Sequence, residues 1–131
     1  RADDTAITDE AALAAGSQKI GTQAGTTNEI TAIEKFGEDR VTLFDTFEMP
    51  VVALLSGDVD AVVIDEVAAI GFMSEDPGKL KIAFSITGGE VLALFMPPGS
   101  EIQPAVDQAL NEMWDDGTMQ ALIDKWFSRS Q

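Results

Sequence analysis

Apolar and polar positions alternate along this chain with two different periods, one typical of strands and one typical of helices. Short apolar or alternating runs predict five strands, at 18–23, 41–44, 60–64, 80–86 and 91–96. Longer segments with apolar residues every three or four positions predict six helices, at 9–15, 26–36, 47–55, 65–73, 101–114 and 119–127. This alternation favours an α/β fold, with an open, mostly parallel sheet and helices on both faces.

Capping residues and turn residues mark the ends of the predicted elements. We expect Thr8 to cap the first helix, and Asp45 or Thr46 to cap the third, which Gly57 would end. The run 60–64 is apolar on both faces, as is typical of a central parallel strand.

Two polar segments that follow predicted strands are candidates for a ligand site. The turn Gly25-Thr26-Thr27 follows the first strand and opens a helix, and Asp65 follows the third strand. Open α/β sheets bind ligands beyond the carboxyl ends of their strands, at a switch in strand order. A helix N-terminus favours an anion and a carboxylate favours a cation, so the two segments together suit a small zwitterion. Thr26 and Asp65 also have a simpler interpretation as helix N-caps.

Composition narrows the classes of function. The chain has 131 residues, enough for one domain with a core, and a net charge of −15, which disfavours nucleic acid and anionic lipid as partners. It contains no Cys and no His, which excludes disulfides, thiol catalysis, Cys-based zinc sites and Ser-His-Asp triads. The acidic residues do not have the spacing of a calcium loop, so we predict no metal and no cofactor.

Other features concern packing and processing. No apolar run reaches about 18 residues, which predicts no membrane insertion. The chain starts without Met and without an apolar leader, so we expect a mature or excised segment. Trp114, Trp126 and Phe127 recur at helical spacing and are predicted to pack in a core.

Four segments, in order, resemble a known family. They are KIGTQAGTT at 19–27, LLSGDVDAVVIDE at 54–66, PGKLKIAF at 77–84 and LNEMWDDGTMQALIDKWF at 110–127. Together they resemble the polar amino-acid solute-binding proteins of ABC transporters, family 3 of the type 2 periplasmic-binding fold. That family has two α/β lobes with the ligand in the cleft between them.

The resemblance covers only part of that architecture. Residues 3–87 resemble the second lobe, and 88–131 resemble the return strand and the C-terminal helices; we predict that 1–131 forms a single domain. The first lobe, which in this family carries an Arg that binds the ligand carboxylate, has no counterpart, and Arg1 is not that residue. The resemblance therefore implies a half-receptor, whether an excised lobe, a natural truncation or a deliberately shortened chain.

The resemblance also implies roles for individual residues. Gly25, Thr26 and Thr27 would bind the ligand carboxylate or nearby polar atoms, and Asp65 would bind its α-ammonium group. Ala24 stands where the family often has a polar side chain that touches the ligand. Gln23 is a surface strand residue that could also reach the cleft.

Three hypotheses follow for function. In the first, the chain is a solute-binding lobe that binds a small polar amino acid weakly, and in the second it is a folded lobe without ligand binding. In the third it is an enzyme similar to the dehydratases of this fold; only the lone carboxylates of Asp65 and Glu66 support that, so we predict no enzymatic activity.

The family resemblance also implies partners and a location. A complete receptor would deliver its ligand to an ABC permease, in the periplasm or at the outer cell face. Helices that normally pack on the first lobe would leave apolar surface exposed here, so we predict a homodimer, with the C-terminal segment as a candidate for swapping between chains.

Overall fold

A computed structural model of the chain describes residues 1–88 and 93–127. Two compact units can be distinguished, Arg1–Ile86 and a second unit that begins at Thr87. The single domain over 1–131 stays a prediction.

The first unit contains a three-stranded parallel sheet in the order β2-β1-β3. Strand β1 is Ile20–Gln23, β2 is Val41–Phe44 and β3 is Ala61–Val62. Ile20 lies opposite Val41 on one side and Ala61 on the other, so β1 is the central strand of the described sheet. The expectation of a central strand at 60–64 is not confirmed within the described residues, where β3 pairs with β1 alone.

Four α-helices and one short 3₁₀ turn connect and cover these strands. They are α1 (Glu10–Ala15), α2 (Thr27–Phe36), α3 (Glu48–Ser56), α4 (Glu66–Glu75) and the 3₁₀ turn Glu38–Arg40. The four helices predicted between residues 9 and 73 are thus confirmed, with ends that differ by a few residues.

Two of the predicted caps are wrong. Asp9, one residue after Thr8, caps α1 by accepting a hydrogen bond from the Ala12 N–H at 2.8 Å. Phe47 occupies the N-cap position of α3 and makes no side-chain capping bond. A carboxylate is a better acceptor than a hydroxyl, and the packing of α3 on the sheet sets where that helix begins.

Apolar side chains form one cluster on each face of the sheet. The cluster on the α1 and α2 side contains Ile7, Leu13, Ile20, Ala32, Phe36 and Val63. The cluster on the α3 side contains Ala53, Leu54 and Val59, with Phe44, Val62 and Leu80 packed against it. A parallel sheet with helices on both faces is the α/β architecture that the sequence predicts.

The predicted strands at 80–86 and 91–96 are not confirmed. Segment 80–86 belongs to no strand, although Leu80 packs on one cluster and Phe84 and Ile86 pack on the other. Its alternating pattern thus reflects side-chain packing on the core rather than pairing in the described sheet. Residues 93–96 belong to no strand, and the rest of 91–96 lies outside the described residues.

The second unit is built on the last two helices, α5 (Gln103–Asp115) and α6 (Thr118–Phe127). Gly117 joins them with a φ of 81°, and Asp116 accepts a hydrogen bond from the Thr118 N–H at 2.8 Å. Both helices and the break at Gly117 agree with the sequence pattern.

The tryptophans of these helices do not pack as expected. Trp114 is 56% exposed and Trp126 is 64% exposed, so their predicted place in a core is wrong. Helices α5 and α6 pack against each other, and this packing leaves both tryptophans largely exposed. The side chain of Phe127 lies outside the described residues.

Replacement of Gly21 by Ala is expected to destabilise the first unit by about 1–3 kcal/mol. A Cβ atom at this position would lie 3.1 Å from the Pro50 Cβ and 3.1 Å from the Phe44 ring. The measurement is the free energy of unfolding in urea. The matched control is Gly71→Ala, because a Cβ atom there meets nothing within 4 Å and Ala favours the helix. Equal stability of the two variants would contradict the close approach of α3 to β1.

Replacement of Asp4 by Ala is expected to lower stability in a pH-dependent way. The N–H groups of Ile7 and Ala6 donate to the Asp4 carboxylate, at 3.1 and 2.8 Å, and hold the pKa of that carboxyl below its ordinary value. This stabilisation is present above the ordinary pKa and is lost as the pH falls through the lowered value. Urea unfolding at about pH 7, 5 and 3 should therefore show a difference of about 1 kcal/mol that shrinks only at the lowest pH. The exposed neighbour Asp3 provides the control Asp3→Ala; an equal pH-dependent loss in both variants would exclude these two bonds as the cause.

Candidate functional site

The two segments selected from the sequence meet at the carboxyl edge of the sheet. Strand β1 leads through α2 to β2 on one side, and β2 leads through α3 to β3 on the other side. In the order β2-β1-β3 the direction of winding reverses between β1 and β3, which is the switch point where open α/β sheets bind ligands. The turn Gly25-Thr26-Thr27 follows β1 and Asp65 follows β3, so both stand at this point.

Asp65 is joined to the start of α2 by a hydrogen bond. The Asn28 Nδ2 donates to the Asp65 Oδ1 at 3.2 Å. Asp65 occupies the N-cap position of α4, but its side chain makes no capping bond. Its carboxylate is exposed and points toward the α2 turn rather than serving its own helix, as the capping interpretation would require.

Asn28 is the residue of this arrangement that the sequence did not reveal. It is the second residue of α2, where it had no distinguishing pattern. Its position in the first turn of a helix at a strand end is the one signal that could have suggested it.

The hydroxyl of Thr26 is used inside the turn. It accepts a hydrogen bond from the Glu29 N–H at 3.3 Å and donates to the Gln23 carbonyl at 2.7 Å. Thr26 is therefore the N-cap of α2, in agreement with the simpler of the two interpretations of this residue.

Glu29 also contributes to this turn from the first turn of α2. Its Oε2 accepts a hydrogen bond from the Gly25 N–H at 2.6 Å. This is a variant of the capping box, in which the carboxylate reaches one residue further back than the cap itself. The Gly25 N–H is consequently bound by an internal anion.

Three backbone N–H groups of the turn stay available to a ligand. The N–H groups of Thr26, Thr27 and Asn28 meet no acceptor in residues 1–88 and 93–127. Thr27 is exposed, and the helix dipole makes this N-terminus favourable for a negative group. The N–H groups of the turn can therefore bind an anion, and the adjacent Asp65 carboxylate can bind a cation.

Gln23 and Ala24 lie on the other side of β1. The Gln23 Nε2 donates to the Asp45 carbonyl at 3.0 Å, and the Ala24 N–H donates to the Phe44 carbonyl at 2.9 Å. Both residues thus extend the pairing of β1 with β2 and are engaged there rather than next to Asp65.

A buried hydrogen bond supports the position of Asp65. Thr22 is fully buried, and its hydroxyl donates to the Val63 carbonyl at 2.8 Å. The Val63 N–H donates to the Gly21 carbonyl at 3.0 Å. Together these bonds hold the chain beyond β3 against β1, two residues before Asp65.

The described residues offer no cluster suited to a metal. Within residues 1–88 and 93–127, no group of three or more His, Cys, Asp or Glu residues is placed to hold a metal ion. Over the same residues, no helix combines the length and the apolar character that crossing a membrane requires.

Comparisons with known proteins give one consistent class of relatives. No family model matches the chain. The chain is 25% identical over 117 residues to the putative ABC transporter arginine-binding protein 2 of Escherichia coli K12, covering 86% of this chain and 48% of the relative. It is 28% identical over 111 residues to the L-cystine-binding protein TcyJ of the same organism, covering 84% and 42%.

A solved structure extends the similarity to the fold. An ancestral arginine-binding protein bound to glutamine superimposes with a TM-score of 0.79 at 30% identity, covering 97% of this chain and 56% of that protein. The chain spans about half the length of the curated relatives it matches.

One conclusion follows from the parallel α/β sheet, the open site at its switch point and the sequence identity shared with these relatives. Over about half of their length, the chain matches the amino-acid-binding proteins of ABC transporters in sequence, and it shares the type 2 periplasmic-binding fold with an ancestral arginine-binding protein.

Proposed function

We propose that the chain binds a small amino acid at the β1/β3 switch point and contributes this site to an ABC-transporter receptor. The observation that carries the proposal is the Asn28–Asp65 hydrogen bond, which holds an exposed carboxylate beside the α2 N-terminus. A cation acceptor and an anion acceptor thus lie side by side, as an α-amino acid requires.

The groups of the ligand divide between these two acceptors. The α-carboxylate would accept hydrogen bonds from the N–H groups of Thr26, Thr27 and Asn28. The Thr27 hydroxyl, at the first residue of α2, would donate a further hydrogen bond to it. The α-ammonium group would donate to Asp65. Gly25 contributes the turn conformation, with a φ of 73°, while its own N–H is held by Glu29. Gln23 and Ala24 would at most form the rim on the β2 side.

Binding by this chain alone is expected to be weak. Asp65 and Thr27 are exposed, and charge-assisted hydrogen bonds lose strength when water competes for them. The relatives are about twice as long, and their further residues would supply the enclosure that desolvates a ligand. We therefore expect a dissociation constant nearer ~1 mM than ~1 μM.

The alternative is a folded unit without ligand binding of its own. It is favoured by the Glu29 carboxylate, which already occupies the Gly25 N–H and repels a second anion at the turn. The relatives are binding proteins of transporters rather than enzymes, and we propose that this chain likewise has no enzymatic activity. Its partner would be an ABC permease, and the chain itself would lie in the periplasm or at the outer cell face.

The site predicts a selective response to amino acids. In a thermal-shift screen with the twenty amino acids at about 5 mM, a ligand with a dissociation constant of about 1 mM stabilises the chain by about 1 kcal/mol. Asp65→Asn should strongly reduce this shift because the ammonium group loses its negatively charged partner, although the amide oxygen can still accept a hydrogen bond. The control Asp39→Asn makes the same change at an exposed residue of the 3₁₀ turn, outside the site. No shift with any amino acid would establish the alternative.

Association of two chains is a further expectation. In the second unit Leu94, Phe95, Trp114 and Trp126 are all more than half exposed, and such apolar surface tends to be buried by association. We propose a homodimer, with the C-terminal segment as a candidate for exchange between chains. Size-exclusion chromatography with light scattering should show twice the mass of 14.0 kDa. The double variant Trp114→Gln/Trp126→Gln should shift the mass toward the monomer, and a strict monomer in the unmodified chain at high concentration would contradict the proposal.

A further inference from the structure

An apolar groove lies between β2 and α3, on the face of the sheet opposite α1 and α2. It encloses a volume of about 310 Å³, and none of its lining residues belongs to the candidate site. Its apolar lining consists of Phe44, Met49, Val52 and Ala53. Met49 is 46% exposed and Val52 is 63% exposed, so much of this lining faces water instead of the core.

The groove arises because α3 lies over the middle of the sheet. Pro50 of α3 stands close to Gly21 of β1, and Val62 of β3 packs in the cluster on the α3 side. The same face of β2 is left partly open. Thr42, which shares this face with Phe44 because side chains alternate along a strand, is exposed.

Strand β2 also has a free edge. It pairs with β1 alone in the sheet of the described residues, so its other edge has no strand partner there. Such an edge can receive an extended segment of another chain, which adds a strand and turns every second side chain toward one face. The groove lies on one face of this edge, and an extended segment therefore suits the surface.

A carboxylate stands at each end of the groove. Glu48 begins α3 and Asp58 follows its end, so the length of this nine-residue helix, about 13 Å, separates them. Asp58 accepts a hydrogen bond from the Ser56 hydroxyl at 2.8 Å. Neither carboxylate takes part in any of the ion pairs found in the described part of the chain.

These charges distinguish between possible occupants. A second copy of the chain, with its net charge of −15, would bring four carboxylates, Glu48 and Asp58 of each copy, to one apolar contact, where they repel each other. A segment with a cation at each end gains from both carboxylates, and an apolar side chain between the cations covers Met49 and Val52.

From this combination we propose that the β2–α3 groove docks an extended segment of another protein in which an apolar residue stands between two Lys or Arg residues. Alternate side chains of such a segment share a face, and four residues span about 13 Å at ~3.3 Å each. The recognised pattern is thus a cation, an apolar residue two positions later and a second cation two positions after that. This proposal does not depend on amino-acid binding at the β1/β3 switch point.

The test uses the peptide acetyl-Ser-Lys-Thr-Phe-Thr-Lys-Ser-amide, titrated into the ¹⁵N-labelled chain at low salt. The backbone amide shifts of Phe44 and Val52 report on binding, and we expect a dissociation constant of about 0.1–1 mM. Two control peptides, with Glu in place of both Lys residues or Ser in place of Phe, should bind at least about tenfold more weakly. Added salt should weaken binding of the first peptide.

Val52→Lys tests the apolar lining. It places a cation in the groove and should lower the affinity for the peptide about tenfold or more, because it repels the peptide's own cations and removes apolar surface. The matched control is Ile30→Lys, which makes a similar change at a side chain of α2 that is 58% exposed and lies outside the groove. This control should leave the affinity unchanged.

Glu48→Gln/Asp58→Asn tests the two carboxylates. The amide oxygen of Asn can still accept a hydrogen bond from the Ser56 hydroxyl, so the loop is kept while both charges are removed. The affinity should fall about tenfold, and binding should lose most of its salt dependence. Glu34→Gln/Glu75→Gln removes two charges from exposed positions of α2 and α4 and should change neither property.

Each other outcome overturns the proposal. Absence of binding, equal binding of the three peptides, or an affinity that is unchanged in Val52→Lys would exclude docking of a basic and apolar segment in this groove. A dimer that Val52→Lys converts to a monomer, as measured by light scattering, would show that a second copy occupies the groove instead. The amino-acid thermal-shift screen is expected to give the same result for Val52→Lys as for the unmodified chain, which keeps this test separate from that of the proposed function.

Discussion

The packing of β1 between two helical layers is the constraint on which the first unit depends. Ile20 and Thr22 are fully buried on the α2 side of this strand, and on the α3 side Gly21 leaves just enough room for Pro50. Because β1 is the central strand, it sets the register of both β2 and β3. A strand confined in this way cannot shift along its neighbours without exposing one apolar face.

The candidate site follows from this central position. The loop after β1 and the loop after β3 lie side by side because the winding of the sheet reverses between these strands. The Thr22 hydroxyl donates to the Val63 carbonyl at 2.8 Å, which ties the chain to β1 two residues before Asp65. A buried bond thus positions an exposed carboxylate, and the Asn28 amide at 3.2 Å completes the arrangement.

The same topology separates charge along the strand direction. In a parallel sheet with crossover helices, helix N-termini gather at one edge and helix C-termini at the other, and their dipoles favour opposite charges. At the edge where the strands begin, Arg1 donates to two backbone carbonyls and Arg40 donates to three. These bonds hold the loops that precede the strands in place. A net charge of −15 by itself indicates only solubility. In the first unit, however, these two cations lie where the strands begin, so charge is distributed unevenly along the strand direction.

The sequence by itself determined most of the local elements and predicted which residues stand at the switch point of the sheet. Apolar periodicity defined the helices, the run predicted at 41–44 has the same bounds as β2, and the polar segments after β1 and β3 pointed to the turn and Asp65. These features depend on neighbouring residues, which a pattern reports directly. Only the tertiary structure decided that 80–86 packs without pairing in the described sheet, that Trp114 is exposed, and that the Asn28 amide donates to Asp65. Each of these depends on which distant segment lies opposite, and a single sequence carries no local record of that.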